Sequence, residues 1–290
     1  MASRPWIFVC PSSRGIGFHL TRHLLQTTTM PILATTRSPD LEAAKTAILS
    51  GRPEHQPQPQ PQPQPRDGDA DGDHDGPRSP LDRHASRLHL TRVDVTDEPS
   101  IERAAQLARD LFPPRTHHLH LSFAIPGVLK PEKSPLQIDA AASLAMFRVN
   151  CAGPLLLAKH FVGFMPRAGT VVEGGPAAWV FMSARVGSVT ENRLGGWYSY
   201  RASKAGVNSA ARSLDWMLRA RSGGGAMAVA YHPGTVRTDF SREFWGSVEG
   251  REGFLEVEDA VGRMVGVVRG LDGLRDGGKC LDWRGEVVPP

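Results

Sequence analysis

The chain is predicted to be an α/β protein built as one doubly wound, mostly parallel sheet with helices on both faces. Three observations predict it. Short apolar runs alternate with segments of helical periodicity along the chain. Those runs are apolar at nearly every position, as strands buried on both faces must be, and parallel strands need helical crossovers to cover them. Finally, 290 residues that are 40% hydrophobic suit a single domain with a sizeable core.

Taken in order, WIFVC reads as a strand and GFHLTRHLLQ as the helix after it. PILATT leads to LEAAKTAIL, LHLTRVDV to SIERAAQLARDLF, and LHLSFAI to the long helical stretch AASLAMFRVNCAGPLLLAKHFVGFM. Further strands are AAWVFMS, AMAVAYH and KCLDW. A long helix begins near Tyr198 and stops at the SGGG of residues 222–225.

Residues 52–85 break the pattern. They hold five Gln-Pro dipeptides and eight of the 24 prolines, with almost nothing to bury. The segment is expected to be a disordered insertion in the loop before the third strand, where added length costs little entropy. Asp67, Asp69, Asp71 and Gly72 begin like a calcium loop, but Arg78 stands where a bidentate Glu is required, so a solvated linker is the stronger expectation.

The bulk properties narrow the function. A net charge of +4 arises from 34 Lys plus Arg against 30 Asp plus Glu, scattered rather than run into a tract, which does not point to nucleic acid. Three distant cysteines, Cys10, Cys151 and Cys280, indicate neither a disulfide framework nor a metal site and fit a reducing cytoplasm. No signal peptide and no apolar run of about 18 residues is apparent, so no membrane role is expected.

Residues 10–17, CPSSRGIG, join the first strand directly to a helix. Glycines there let the backbone approach a pyrophosphate, which the helix N-terminus favours through its N–H groups and dipole. Ser12, Ser13, Arg14, Gly15, Ile16 and Gly17 are therefore candidate dinucleotide contacts on a Rossmann-type domain. Arg37 follows the second strand, where an adenosine ribose would lie, and no acidic residue ends that strand. Two guanidiniums, Arg14 and Arg37, suit a 2′-phosphate, so NADP (as NADPH) is expected over NAD.

At the other end, WYSYRASK places Tyr200 and Lys204 four residues apart, on one helix face. An ammonium beside a phenol stabilises the phenolate and brings it toward use as an acid or base near neutral pH. Tyr200 would then protonate a carbonyl oxygen, or deprotonate an alcohol in the reverse direction.

These motifs, taken together, resemble the short-chain dehydrogenase/reductases, and among them the carbonyl-reductase-like group that includes Sniffer and the C-factor-like proteins. The resemblance covers essentially all of the chain outside the insertion. It implies that Asp94 and Val95, in RVDVTD, pack near adenine; that Asn150, in VNCAGP, is a structural and catalytic Asn; and that Pro233, Gly234, Val236 and Thr238, in HPGTVRTD, close over nicotinamide. It also implies a small carbonyl or alcohol substrate, with Lys204 holding ribose hydroxyls, and a homodimer or homotetramer formed through the helices bearing Asn150 and Tyr200, although the group includes monomers.

The sequence departs from the family at three places. Pro11 replaces the first glycine of the cofactor turn and has no N–H to donate. AIPG at 124–127 stands where the family has Asn-Asn-Ala-Gly. Ala184 replaces the serine usually set over the substrate carbonyl, leaving Ser183 or Ser188 as a substitute, with Ser183 placed in the catalytic set. Two other readings therefore stand beside the reductase: a dinucleotide-binding protein with little turnover, and an interaction protein that uses the extended Gln-Pro segment. Residues 240–258 occupy the place of a substrate lid, with Phe240, Phe244 and Trp245 as candidate lining.

Overall fold

A computed structural model describes residues 3–52 and 81–290. The Gln-Pro repeats and the Asp-Gly stretch lie outside those residues. The end of the expected insertion is corrected: Leu81 is fully buried, and a 3-10 helix follows at Asp82–Arg87. Leu81 has an apolar side chain to bury, which the Gln-Pro repeats lack.

The strands are β1 (Arg4–Cys10), β2 (Ile32–Thr36), β3 (Leu88–Arg92), β4 (His117–Ala124), β5 (Ala177–Met182), β6 (Ala226–His232), β7 (Thr235–Val236), β8 (Phe254–Leu255), β9 (Cys280–Asp282) and β10 (Val287–Val288). Eight of them form one sheet in the order β10-β9-β6-β5-β4-β1-β2-β3. All pairings in it are parallel except β10 with β9. The helices between them are α1 (Gly15–Thr27), α2 (Leu41–Ser50), α3 (Glu98–Leu111), α4 (Ala140–Phe147), α5 (Gly153–Phe161), α6 (Tyr198–Ser222), α7 (Trp245–Val248) and α8 (Val257–Arg269). The doubly wound sheet is thus as predicted. The pair β7 and β8, the antiparallel β10 and the helix α8 were not anticipated.

Strand alternation divides the core between the two faces. Trp6 and Phe8 of β1 face α3 and α5, stacking on Phe112 at 4.7 Å and Phe161 at 4.2 Å. Ile7 and Val9 face the other way, into a cluster with Phe18, Leu24, Met264 and Val265. Burying each such side chain contributes roughly 1.5–3 kcal/mol. Local signals end the helices: Asp40 caps α2 through Ala43 N–H at 2.9 Å, and Gly51 closes it at φ +84°.

The long helical stretch after β4 is interrupted. A π-helical turn at Arg148–Ala152 separates α4 from α5 and carries Asn150 inward, fully buried. Residues 140–164 include an 18-residue window of mean hydropathy 1.4, enough by length and composition alone for a membrane-crossing helix, which corrects the expectation that no such stretch exists. The inner face packs on α3 and α6. Leu144, Phe147 and Leu155 remain exposed on its outer face.

Candidate active site

The site forms where β1, β4, β5 and β6 end. Gly15 has φ +52°, a conformation that glycine adopts without cost. A Cβ on Gly17 would lie 1.9 Å from the carbonyl oxygen of Pro11, so only glycine fits there. Pro11 is therefore accommodated, with its carbonyl packed against α1. Ser12 corrects an expectation: both its N–H and its hydroxyl donate to Thr35 O, at 2.8 and 2.9 Å, and the residue is fully buried. Its polar groups stitch β1 to β2 and do not face the cofactor cleft. Ser13 is half-buried, and Arg14 is exposed just before the helix.

Arg37 is also exposed, and among the described residues neither it nor Arg14 pairs with a carboxylate. Arg92, at the end of β3, donates from Nε to the carbonyl of Arg37 at 3.3 Å. Asp94 accepts from Thr96 N–H and hydroxyl at 2.9 and 2.7 Å. Those two bonds, aided by Arg37 and Arg148, hold its carboxyl below the usual range. Val95 is buried against α5, where a Cβ on Gly153 would come within 2.8 Å of it.

Across the cleft, β7 pairs with β8 and carries the 233–238 turn. Gly234, at φ +82°, lies so close to Gly253 and Trp283 that a Cβ would meet Gly253 O at 2.6 Å. Val236 packs with Ile16, and the Thr238 methyl stands 3.8 Å from the Cβ position of Gly15. The two turns close one cleft. A glycine cradle, two arginines without a carboxylate partner among the described residues and this closure fit a phosphorylated dinucleotide.

Tyr200 and Lys204 share the inner face of α6 and are both buried. Lys204 Nζ donates to Met182 O at 2.8 Å and lies 5.7 Å from the Tyr200 ring centre. Burial lowers the lysine from its ordinary 10.5 to about 8 and raises the Tyr200 phenol. Gly127 borders the same space: a Cβ there would stand 3.9 Å from Lys204 Nζ and 3.6 Å from the Phe240 ring.

Both amide hydrogens of Asn150 are committed, and its oxygen accepts one bond. Its oxygen accepts from Val128 N–H at 2.8 Å, and its nitrogen donates to Val128 O at 2.9 Å and to Ser203 at 3.1 Å. Together with Ile125 N–H on Cys10 O at 2.8 Å, these bonds fasten the AIPG turn that lacks the family's asparagines. Ser203 in turn donates to Tyr200 O at 2.8 Å. Asn150 therefore links the turn to the tyrosine helix.

Ser183 is the clearest correction to the expected catalytic set. Its hydroxyl donates to Asn208 Oδ1 at 2.6 Å and lies beside Cys280, inside the interface of sheet and helix. Successive residues point to opposite sides of an extended chain, so it is Ala184 that packs with Tyr200, together with Met146, Val186 and Trp197. Ser188 is likewise engaged, donating to Pro290 O at 3.4 Å. No serine hydroxyl in this segment is turned toward the tyrosine.

Of the lid candidates, Phe244 packs on Trp197 at 5.0 Å, and Trp245 lies under Arg237 while donating to Ser241 at 2.9 Å. Three residues near the site escaped the sequence reading: Glu132, Trp197 and Trp283. Trp283 carried a signal in the KCLDW run. Trp197 follows a Gly-Gly pair, whereas Glu132 meets its partners only through the fold.

The match to known proteins follows this geometry. A family model described as short chain dehydrogenase matches residues 77–247, and the chain belongs to that family, a class of oxidoreductases. The chain is 31% identical to C-signal of Myxococcus xanthus over 152 residues, which span 52% of this chain and 81% of that protein. Among solved structures, an NADPH-bound carbonyl reductase from chicken fatty liver is similar at a TM-score of 0.74 and 25% identity, with both chains covered completely. The carbonyl reductase Sniffer of D. melanogaster shares the fold at a TM-score of 0.70 and 19% identity, again over the whole of both chains.

Proposed function

We propose that this chain is an NADPH-dependent reductase of a small aldehyde or ketone, with Tyr200 as the proton donor. The observation that carries this reading is the buried Tyr200–Lys204 pair beside Gly127, in a cleft closed between Gly15 and Thr238. Ser13, Arg14, Gly15, Ile16 and Gly17 would hold the pyrophosphate side, and Arg14 with Arg37 the 2′-phosphate. Asp94 and Val95 would border adenine, and Pro233, Gly234, Val236 and Thr238 the nicotinamide end. The NADPH-bound state of the similar chicken enzyme supports the choice of cofactor. When bound, NADPH supplies the hydride that reaches the carbonyl carbon.

The residues of the chain manage the proton and the charge. Tyr200 gives its phenolic proton to the carbonyl oxygen, and the Lys204 ammonium stabilises the phenolate left behind. Asn150 serves by holding Val128 and Ser203, and the second lone pair of its amide oxygen is left to accept from a proton relay. Ala184 supplies no hydrogen bond, so Tyr200 carries the developing oxyanion with less help than a serine would give.

That alanine also favours a second reading, an NADP-binding protein with little turnover. A fluorescence titration with NADPH and NADH, followed by absorbance decay with a panel of aldehydes, ketones and quinones, separates the two. Tyr200-dependent decay supports the reductase; tight NADPH binding with no decay supports the alternative. The three free thiols fit a cytoplasmic location. Exposed Leu144, Phe147 and Leu155, with Trp216 and Met217 of α6, favour a homodimer or homotetramer over a monomer.

A further inference from the structure

We propose that Glu132 is a positioning residue for the reduction, and that the group it positions is Trp197, whose indole forms one wall of the substrate cleft. This rests on the reading of Tyr200 as the proton donor.

Glu132 lies in the loop after β4, only 2% exposed, and has no ion-pair partner among the described residues. A buried carboxylate without a cation is costly unless hydrogen bonds satisfy it. Here they all come from the first residues of the tyrosine helix. Ser199 N–H donates to Oε2 at 2.8 Å and the Ser199 hydroxyl to Oε1 at 2.5 Å, while Ser143 of α4 reaches that hydroxyl at 2.6 Å. The main-chain oxygen of Glu132 takes Trp197 N–H at 2.6 Å. The positive end of α6 favours the same carboxylate.

Trp197 is held in a conformation that it would not choose. Its φ of +53° is the only positive value at a non-glycine among the described residues, and it follows Gly195 and Gly196, both also positive. Such a residue persists only where its surroundings over-determine it. Glu132 grips the turn from one side. Arg201 grips it from the other, through its Nε on Gly196 O at 3.0 Å and its N–H on Trp197 O at 2.8 Å.

The result is a fixed indole, 6.0 Å from the Tyr200 ring and edge-on to it, and 5.0 Å from Phe244. Ala184, Val128, Leu129 and Val186 complete the same apolar cluster. A carbonyl brought to the Tyr200 hydroxyl must lay one apolar flank along this wall. Without its carboxylate, residue 132 is no longer anchored to Ser199, so the loop bearing the main-chain oxygen that holds Trp197 N–H is freed, the strained turn relaxes and the indole moves away from the tyrosine.

The test uses the full chain with a small aliphatic aldehyde and an aryl ketone as substrates, comparing wild type with Glu132→Ala, Glu132→Gln, Trp197→Ala and Ser199→Ala. Trp197→Ala and Glu132→Ala should each raise KM for the aryl ketone about tenfold, leaving KM for the aldehyde and Kd for NADPH nearly unchanged. Glu132→Gln, which keeps an acceptor oxygen, should recover most of that loss, and Ser199→Ala should show a smaller defect of the same kind. A readout independent of turnover is acrylamide quenching of Trp197, taken as wild-type emission minus that of Trp197→Phe. It should rise when the same pair is compared in the Glu132→Ala background. An unchanged KM ratio in Trp197→Ala, or unchanged quenching without Glu132, overturns the proposal. So does an equal loss on both substrates together with NADPH affinity. If the wild type reduces neither compound, two other carbonyls of the same two classes that it does reduce take their place, and no reduction of any carbonyl overturns the Tyr200 reading. The quenching arm decides in either case whether Glu132 holds Trp197.

Discussion

Lys204 Nζ donates to the main-chain carbonyl of Met182 at 2.8 Å while standing 5.7 Å from the ring of Tyr200. One bond to the end of β5 thus fixes the cation where a phenolate would form. Burial puts the two groups in opposite directions: the lysine falls to about 8 and the phenol rises. Below that value the ammonium is intact and Tyr200 holds its proton, the state needed for reduction. The kcat for reduction should therefore be flat at low pH and fall as pH rises through about 8. Steady-state rates from pH 6 to 10 check this, and Lys204→Ala should lower kcat by about 100-fold or more and remove that inflection.

Ala184 leaves Tyr200 as the only hydrogen-bond donor proposed for the carbonyl. Ala184→Ser places a hydroxyl on the same backbone position, in the cluster that holds Tyr200. The rate should rise by about 100-fold, the lower end of what one oxyanion donor provides in other enzymes. Measured kcat on a fixed ketone decides it.

Ser183 should behave as a structural residue. Its hydroxyl is committed to Asn208 at 2.6 Å in a buried interface. Ser183→Ala should leave kcat within about twofold and cost about 1–3 kcal/mol of stability, because Asn208 loses a buried partner. Thermal melting beside a rate measurement separates the two effects.

Gly17 has no room for a side chain, since its Cβ would fall 1.9 Å from Pro11 O. Gly17→Ala should force β1 and α1 apart, cost about 1–3 kcal/mol and weaken NADPH binding. Differential scanning calorimetry and a binding titration on the same sample read both changes.

The succession of strands and helices and the tyrosine helix were legible in the sequence because apolar runs and helical periodicity are local signals, whereas the order of strands in the sheet was not. Tyr200 and Lys204 were legible for the same reason: four residues on a helix bring side chains together whatever surrounds them. Direction within a segment was less accessible. Ser183 and Ala184 differ by one position, and only the orientation of the chain after β5 shows that the alanine faces the tyrosine. Ser12 was misread in the same way, since its partner Thr35 is 23 residues distant. The π turn at Asn150 left no mark in a hydropathy pattern that reads straight through it. Glu132 was invisible because its value comes from Ser199, 67 residues away.

The most direct test of the account is the NADPH-dependent reduction of a carbonyl panel by wild type and by Tyr200→Phe, with NADPH affinity measured on both. The account predicts that both proteins bind NADPH with similar affinity, that wild type consumes it with at least one carbonyl, and that Tyr200→Phe consumes it at least about 100-fold more slowly. Equal consumption by the two proteins, or NADPH binding by wild type with no consumption across the panel, would contradict it.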